Sequence, residues 1–196
     1  MSASRAVPAV AVRGAVRGDI DELIRLRAHL LDGDGATGLP YAAADAAQRD
    51  AWRTAYRSWL ADRLPGGSDD RPAVGSAPGR AGTGVRIAVV DGPGRLRACA
   101  TAVLDQRAPS PACPGGLAGW IQSVVTDPRD RGQGLATAVL DDLTAWLRGR
   151  GADEVVLQTT SSAAPFYRRN SFLPTGEDLL HRPLHTHDRA EEAVSV

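Results

Sequence analysis

Arg129, Gly132 and Gly134 stand in the stretch RDRGQGLATAVL, between an apolar strand pattern and the start of a helix pattern. A helix N-terminus leaves several backbone N–H groups without partners and carries about half a unit of positive charge, so it suits an anion such as a phosphate. Glycine at 132 and 134 would let such an anion approach where a Cβ would collide. Arg129 offers either a charged fork for the anion or a lock for the loop. Taken alone, these residues fit a plain strand-to-helix turn better than a ligand site. The G-x-x-x-x-G-K-[ST] loop is absent, as is a G-x-G-x-x-G followed by an acid at the right distance, which argues against a nucleotide kinase and a Rossmann dehydrogenase.

Other residue groups invite chemistry less strongly. Trp52, Tyr56 and Trp59 fall at helical spacing on one face, which either packs on a sheet or forms an aromatic wall for a flat or cationic acceptor. Asp32 and Asp34 lie in a helix connection, where they either draw an ammonium group or are simply solvated. His181, His185 and His187 have no Cys or carboxylate framework beside them, so they read as a strand end and a tail, and no metal is expected. His29 reads as a polar-face residue of the first helix.

The elements that must position these groups follow from periodicity. A short strand at about 10–16 precedes a helix in GDIDELIRLRAHLL, with Asp19 as its cap. Gly33, Gly35, Gly38 and Pro40 break the pattern before a second helix at roughly 42–63. Residues 65–84 are rich in Gly, Pro, Ser and Asp with little to bury, and read as a mobile surface loop. VRIAVVD and LRACATAVLD are strands joined by a turn at GPG, a hairpin pattern. WIQSVVTD is a strand, and Leu135, Val139, Leu143, Trp146 and Leu147 mark one face of the helix that follows. DEVVLQTT is a buried-type strand, SSAAPFYRRN a short helix capped by Ser161 or Ser162, and DLLHRPL a last strand. Segments 1–9 and 185–196 are expected to be flexible. The order implies a mixed α/β sheet with a parallel strand–helix–strand crossover over 120–160.

VVTDPRDRGQGLATAVLDDL resembles the acyl-CoA-binding segment of the GNAT superfamily of N-acetyltransferases, whose signature is [RQ]-x-x-G-x-[GA] after a strand. APFYRRNSFLPTG is similar to the same family's later helix and turn, and the two segments come in the family's order within one domain, 10–184. The resemblance implies a mixed, mostly antiparallel central sheet flanked by helices, with the parallel crossover at the CoA site. It implies acetyl-CoA as acyl-donor cosubstrate. Val124, Val125 and Thr126 would form a splayed strand end whose backbone pairs with the pantetheine arm. Arg129, Asp130, Arg131, Gly132, Gln133, Gly134, Leu135 and Ala136 would hold the pyrophosphate. Thr160 falls where many members have an Asn touching pantetheine, and Tyr167 where a general acid protonates the departing thiolate. Asp32, Trp52, Tyr56 and Gln122 are the candidate acceptor contacts.

The chemistry such a site must perform is demanding in one respect. An alkylammonium with a pKa of about 10.4 costs roughly 4 to 5 kcal/mol to deprotonate at neutral pH. A phenol such as Tyr167 stays protonated there and can donate to sulfur. The sequence departs from the family at Gln122, where a Glu often serves as base or water-holder, so either water or a carboxylate such as Asp105 on the neighbouring strand takes that part, or an acceptor of low amine pKa needs no base. It departs again at Asn170-Ser171, where Gly usually precedes Phe172, although Asn tolerates the left-handed conformation well.

Composition narrows the field without deciding it. The chain has 196 residues, 43% of them hydrophobic, which suits one sizeable core. Basic and acidic residues balance at 23 each, so no overall field points to nucleic acid or an acidic membrane surface. All the basic residues apart from His are Arg, a coding bias rather than a mechanism. The two cysteines, Cys99 and Cys113, are too few for a disulfide framework, and no secretory signal is apparent, so a cytoplasmic protein is expected. The leading expectation is an N-acetyltransferase acting on the primary amine of a small molecule such as an amino acid derivative, polyamine or antibiotic, as a monomer or homodimer. The alternatives are an acyltransferase using another acyl-CoA or a peptide or protein N-terminal amine, and a non-catalytic acyl-CoA-binding sensor.

Overall fold

The computed structural model describes residues 10–32, 42–66 and 84–180. Most of the loop expected at 65–84, the tail from 185, Asp34 and the three histidines from His181 onward lie outside the described residues. Two compact units are present, one reaching Gln158 and the other beginning at Thr159.

The first unit is built on a five-stranded sheet in which β1 (Arg13–Gly14), β2 (Val85–Gly92), β3 (Arg95–Gln106), β4 (Leu117–Thr126) and β5 (Glu154–Leu157) lie side by side in chain order. All neighbours are antiparallel except β4 and β5, which run parallel with helix α3 (Leu135–Gly149) between them in the chain. This is the crossover expected from the sequence. The β2–β3 hairpin turns at Pro93 and Gly94, between the paired residues Gly92 and Arg95.

Alternation along the strands sends side chains to two different helical layers. Ile87, Val89 and Cys99 pack with Leu23, Ile24, Leu26, Tyr56 and Leu60 of α1 (Ile20–Leu31) and α2 (Ala46–Ala61) in one buried cluster. The residues between them point to the other face, where Arg86 reaches Asp142 of α3 through a two-bond pairing at 2.7 and 2.9 Å. Ala88, Ala100 and Ala102 share that face and are buried. Their small side chains leave depth for the α3 stripe Val139, Leu140, Leu143 and Leu147, all buried.

The starts of α1 and α2 differ from expectation. Asp19 does not cap α1. Its carboxylate turns back to accept from the Val16 N–H at 2.8 Å and from Arg13, closing a short 3-10 turn over Arg17–Asp19. α2 starts at Ala46 rather than 42, because Asp45 supplies the cap by accepting from the Gln48 N–H at 2.8 Å.

The second unit contributes helix α4 (Ala164–Arg169). Neither Ser161 nor Ser162 caps it. Thr160 does the nearer job, its hydroxyl accepting from the Ala163 N–H at 3.3 Å while also bonding the Ser162 hydroxyl. Ser171 takes the positive φ of 66° that follows the helix, so the left-handed residue is this serine rather than Asn170. The strand expected in DLLHRPL is not formed at Asp178–Leu180, and its remainder lies outside the described residues.

Candidate functional site

Strand β4 separates from its parallel neighbour. Its ladder to β5 runs from Ala118 to Ile121 and stops, while β4 continues to Thr126 paired with β3. Inside that extension the β3 register slips between Cys99 and Thr101, and Ser123 adopts a φ of 54°. An extra residue in one strand re-aims those after it. Gln122 and Val125 therefore face the same helical layer, opposite Thr101 and Cys99, although their odd separation would otherwise put them on opposite faces. Val124, Val125 and Thr126 are the residues expected to meet a pantetheine arm, and none of them has a ladder partner in β5, which ends at Leu157 opposite Ile121.

The chain beyond β4 is held by buried charge. Asp127, 1% exposed, accepts from the Arg129 N–H at 3.1 Å, from Arg129 Nε and from Arg25 Nη1 at 2.8 Å. Burial pushes its carboxyl up, but the Arg129 backbone bond and the Arg25 guanidinium outweigh this and hold it down at about 2. Arg25 of α1 also reaches the Leu96 carbonyl and Glu22, whose carboxylate accepts from the Leu96 N–H. Asp130 is buried between Arg95, at 2.6 Å, and Arg97, at 3.0 Å, and its carboxyl is held low, chiefly by Arg95. Arg97 also donates to the Gln133 side chain.

This network divides the residues expected to hold pyrophosphate. The Asp130 carboxylate is consumed by two arginines, so only its backbone can serve a ligand. Arg129 acts as the loop's lock, with most of its side chain exposed. Arg131, Gly132, Gln133 and Gly134 are exposed. Gly132 and Gly134 have φ of 75° and 76°, a region that L side chains rarely adopt, and a Cβ on either would meet no protein atom within 4 Å. Gly134 is the N-cap of α3, and no side chain caps that helix. The first-turn N–H groups of Leu135 and Ala136 thus start a 15-residue helix beside open space, which fits a phosphate-bearing ligand.

A second cluster lies on the α1 and α2 layer. Gln122 is half-buried and paired across the strands with Thr101, which is buried. Tyr56 of α2 is buried above these strands. Its hydroxyl is pushed up to about 12, first by burial and then by Cys99, while Arg27 and Thr101 against it draw it back. The Arg27 guanidinium stands 4.4 Å from the Tyr56 ring centroid. Tyr56 also stacks on Trp59 at 5.9 Å and contacts Trp52 at 6.4 Å. The three rings pack on the core, Tyr56 fully and the tryptophans in part. Asp32, at the end of α1, accepts from Trp52 Nε1 at 2.9 Å and from Arg53. It is a latch between two helices, its charge already neutralised, and not an open anchor for ammonium.

Asp105 is poorly placed to replace the missing Glu. It pairs with Ala118, roughly 13 Å along the strand from Gln122. Its carboxylate is also bound by Arg107 at 2.7 Å. In the second unit, the half-buried Tyr167 ring meets Phe166 and Phe172 edge-on, at 5.0 and 5.9 Å between centroids. Among the described residues no group of His, Cys, Asp and Glu can hold a metal ion. No helix among them is long and apolar enough to cross a membrane.

The sequence reading missed the bulge at Ser123, the charge network below the loop and Arg27. The bulge leaves no composition signal. The network had one, since Arg95, Arg97, Asp127 and Asp130 flank two strand ends that a hairpin register brings together. A further signal was available in the motif itself, because the [RQ]-x-x-G-x-[GA] spacing recurs at Arg131, Gly134 and Ala136. In that register the glycine is the helix N-cap and the small residue lies in the first turn, where a larger side chain would crowd an anion.

A model of the acetyltransferase (GNAT) family matches residues 44–172. A glucosamine 6-phosphate N-acetyltransferase from Trypanosoma brucei brucei is 38% identical over 58 residues, which are 30% of this chain and 40% of that protein. The match therefore spans two fifths of that relative's length. Among solved structures, a GCN5-related N-acetyltransferase from Ralstonia eutropha JMP134 superposes with a TM-score of 0.66 at 23% identity, covering 89% of this chain and 98% of its own. A predicted acetyltransferase from Clostridium acetobutylicum, solved with acetyl-CoA, gives 0.65 at 20% identity, covering 91% and 99%. These two likenesses establish the fold, and with the family match over most of the sequence the chain belongs to the GNAT acetyltransferase family.

Proposed function

We propose that this protein transfers an acetyl group from acetyl-CoA to the primary amine of a small molecule by direct attack. The observation that carries the reading is the uncapped N-terminus of α3, set behind two left-handed glycines and directly after a strand that has parted from its parallel neighbour. Arg131, Gly132, Gln133, Gly134, Leu135 and Ala136 hold the pyrophosphate, mainly through backbone N–H groups, and Arg129 keeps the loop in shape. The backbone of Val124, Val125 and Thr126 receives the pantetheine arm.

Acetyl-CoA supplies an activated acyl carbon. The amine nitrogen bonds to that carbon as the carbon–sulfur bond breaks, so one proton must leave the amine and one must reach sulfur. Tyr167 gives its phenolic proton to the thiolate and is the catalytic residue of this scheme. Gln122 cannot accept a proton, but its amide can order a water that carries the amine proton to solvent. Membership in the GNAT family and the phosphate-ready helix start support this reading, and the glucosamine 6-phosphate N-acetyltransferase relative makes an amino sugar phosphate a natural acceptor to try.

The test is calorimetric titration with acetyl-CoA followed by a free-thiol assay over a panel of acyl-CoAs and amines. Binding with acceptor-dependent thiol release is the expected result. A chain that does not bind acetyl-CoA refutes the donor site. One that binds it yet releases no thiol with any amine is a sensor, not an enzyme.

A further inference from the structure

Resting on that reading, we propose that the acceptor is a primary amine that also carries an anionic group, a carboxylate or a phosphate, and that Arg27 receives it. The charge balance around the Tyr56 cluster is the reason. Of the neighbouring arginines, Arg25 pairs with Glu22 and Asp127, Arg53 with Asp32, and Arg57 with Asp21, while Arg63, beyond the end of α2, stacks on Trp59 and donates to its carbonyl. Arg27 has no carboxylate partner among the described residues, and its guanidinium stacks on a buried ring. A half-buried cation without a counterion is costly to keep unless something brings the anion.

Its position gives that anion a place relative to the chemistry. Arg27 and Thr101 both lie against the Tyr56 hydroxyl, and Thr101 is the cross-strand partner of Gln122 on the bulged end of β4. Side chains directly opposite each other on paired strands share a face. Arg27, Tyr56, Thr101 and Gln122 are therefore a continuous run from a cation with no carboxylate partner among the described residues to the strand end assigned to the thioester. The acid that the sequence offered for an ammonium, Asp32, is spent on Trp52 and Arg53. The sign of the site is thus inverted relative to a pocket built for polyamines. A planar guanidinium fork accepts carboxylate or phosphate through paired hydrogen bonds, and the Tyr56 ring behind it fixes the plane of the fork.

The experiment uses matched acceptors that differ only in the anion: an amino acid against its amide, and an amino sugar 6-phosphate against the unphosphorylated sugar. Each is titrated calorimetrically into the protein saturated with coenzyme A and, separately, scored for thiol release with acetyl-CoA. The anionic member of at least one pair is expected to bind about tenfold or more tightly than its neutral partner. Arg27→Met, which keeps the aliphatic stem over Tyr56, should abolish that difference, and Arg27→Lys should restore part of it. Circular dichroism melting checks that the variants fold, and unchanged acetyl-CoA affinity shows that the donor site is intact. Equal binding within both pairs, or a preference that survives in Arg27→Met, overturns the proposal. The carboxylate and phosphate arms distinguish the two anions. Discrimination in binding without thiol release would uphold the Arg27 site and refute the transferase reading instead.

Discussion

Around residues 127–134 every buried charge meets its opposite, whereas around Tyr56 the rings are packed and, among the described residues, Arg27 and Arg63 stack on them without a carboxylate partner. The first region spends Arg25, Arg95, Arg97 and Arg129 on Asp127 and Asp130, and the result is a loop whose carboxylates are held inside while its glycines and the helix start stay exposed. The second region spends Asp32 on Trp52 and Arg53 and leaves Arg27 facing an aromatic ring. A backbone surface at a helix start reads any phosphate in the same way, which suits a cosubstrate shared by a whole family. A side-chain cluster on α1 and α2 can change one residue at a time, which suits acceptors that differ between members. In the proposed scheme the contrast is between a generic donor end and a particular acceptor end, and it can be broken at either.

The largest effect is expected at Gly134. Gly134→Trp puts a side chain into the space that a phosphate would take and asks it to hold a φ of 76°. The acetyl-CoA affinity should fall by at least about a hundredfold in calorimetry, as expected when an anion loses its helix-terminal donors. Retained affinity in a variant with a native circular dichroism spectrum would place the pyrophosphate elsewhere.

The network below the loop should reveal itself in stability and in pH. Asp127→Asn removes the charge that three donor groups share and should cost about 3 kcal/mol in urea unfolding at pH 7, as for other broken buried pairs. Because the folded Asp127 carboxyl lies near 2, below its unfolded value of about 3.9, the stability it contributes is complete above pH 4 and is lost as pH falls towards 2. The gap between native protein and Asp127→Asn should accordingly close over that interval. A gap that is constant from pH 7 to pH 2 would show that the effect is one of packing and not of charge.

Tyr167 tests the chemistry and leaves the binding alone. Tyr167→Phe should lower kcat by about a hundredfold or more, in the range of a lost general acid, with the acetyl-CoA affinity unchanged. Unchanged turnover would mean that another donor, such as water, protonates the thiolate.

How much of this was legible in the sequence follows the range of the interaction. The helix faces, the hairpin and the crossover were readable, since each rests on periodicity or a turn within a few residues. So was the Gly132 and Gly134 loop, as a motif whose physical meaning is local. Asp19, Ser161 and Ser162 misled because a capping residue type beside a helix start does not decide which partner it takes: Arg13 donates to Asp19, and Thr160, not a serine, accepts from the Ala163 N–H. The bulge at Ser123 was invisible because it depends on the register of β3 against β4. Asp105 looked eligible as a base for the same reason, since being on the adjacent strand says nothing about which residue it opposes.

Asp32 provides the smallest expected effect and the most discriminating use of the contrast. In the sequence it stood as a carboxylate in a helix connection, either drawing an ammonium or simply solvated. In the fold it holds Trp52 Nε1 and Arg53, linking the end of α1 to α2, with little of its side chain exposed. Asp32→Asn keeps an acceptor for the indole N–H and loses the ion pair, so the expected cost is about 1 kcal/mol or less. The KM for a cationic amine should move by less than about threefold, because the charge it removes is already neutralised by Arg53. A rise of tenfold or more in that KM with little change in melting temperature would reverse the assignment. It would make Asp32 the amine's anchor and require Arg53 to swing away when the acceptor arrives, leaving Arg27 to read a second, anionic end of the same molecule.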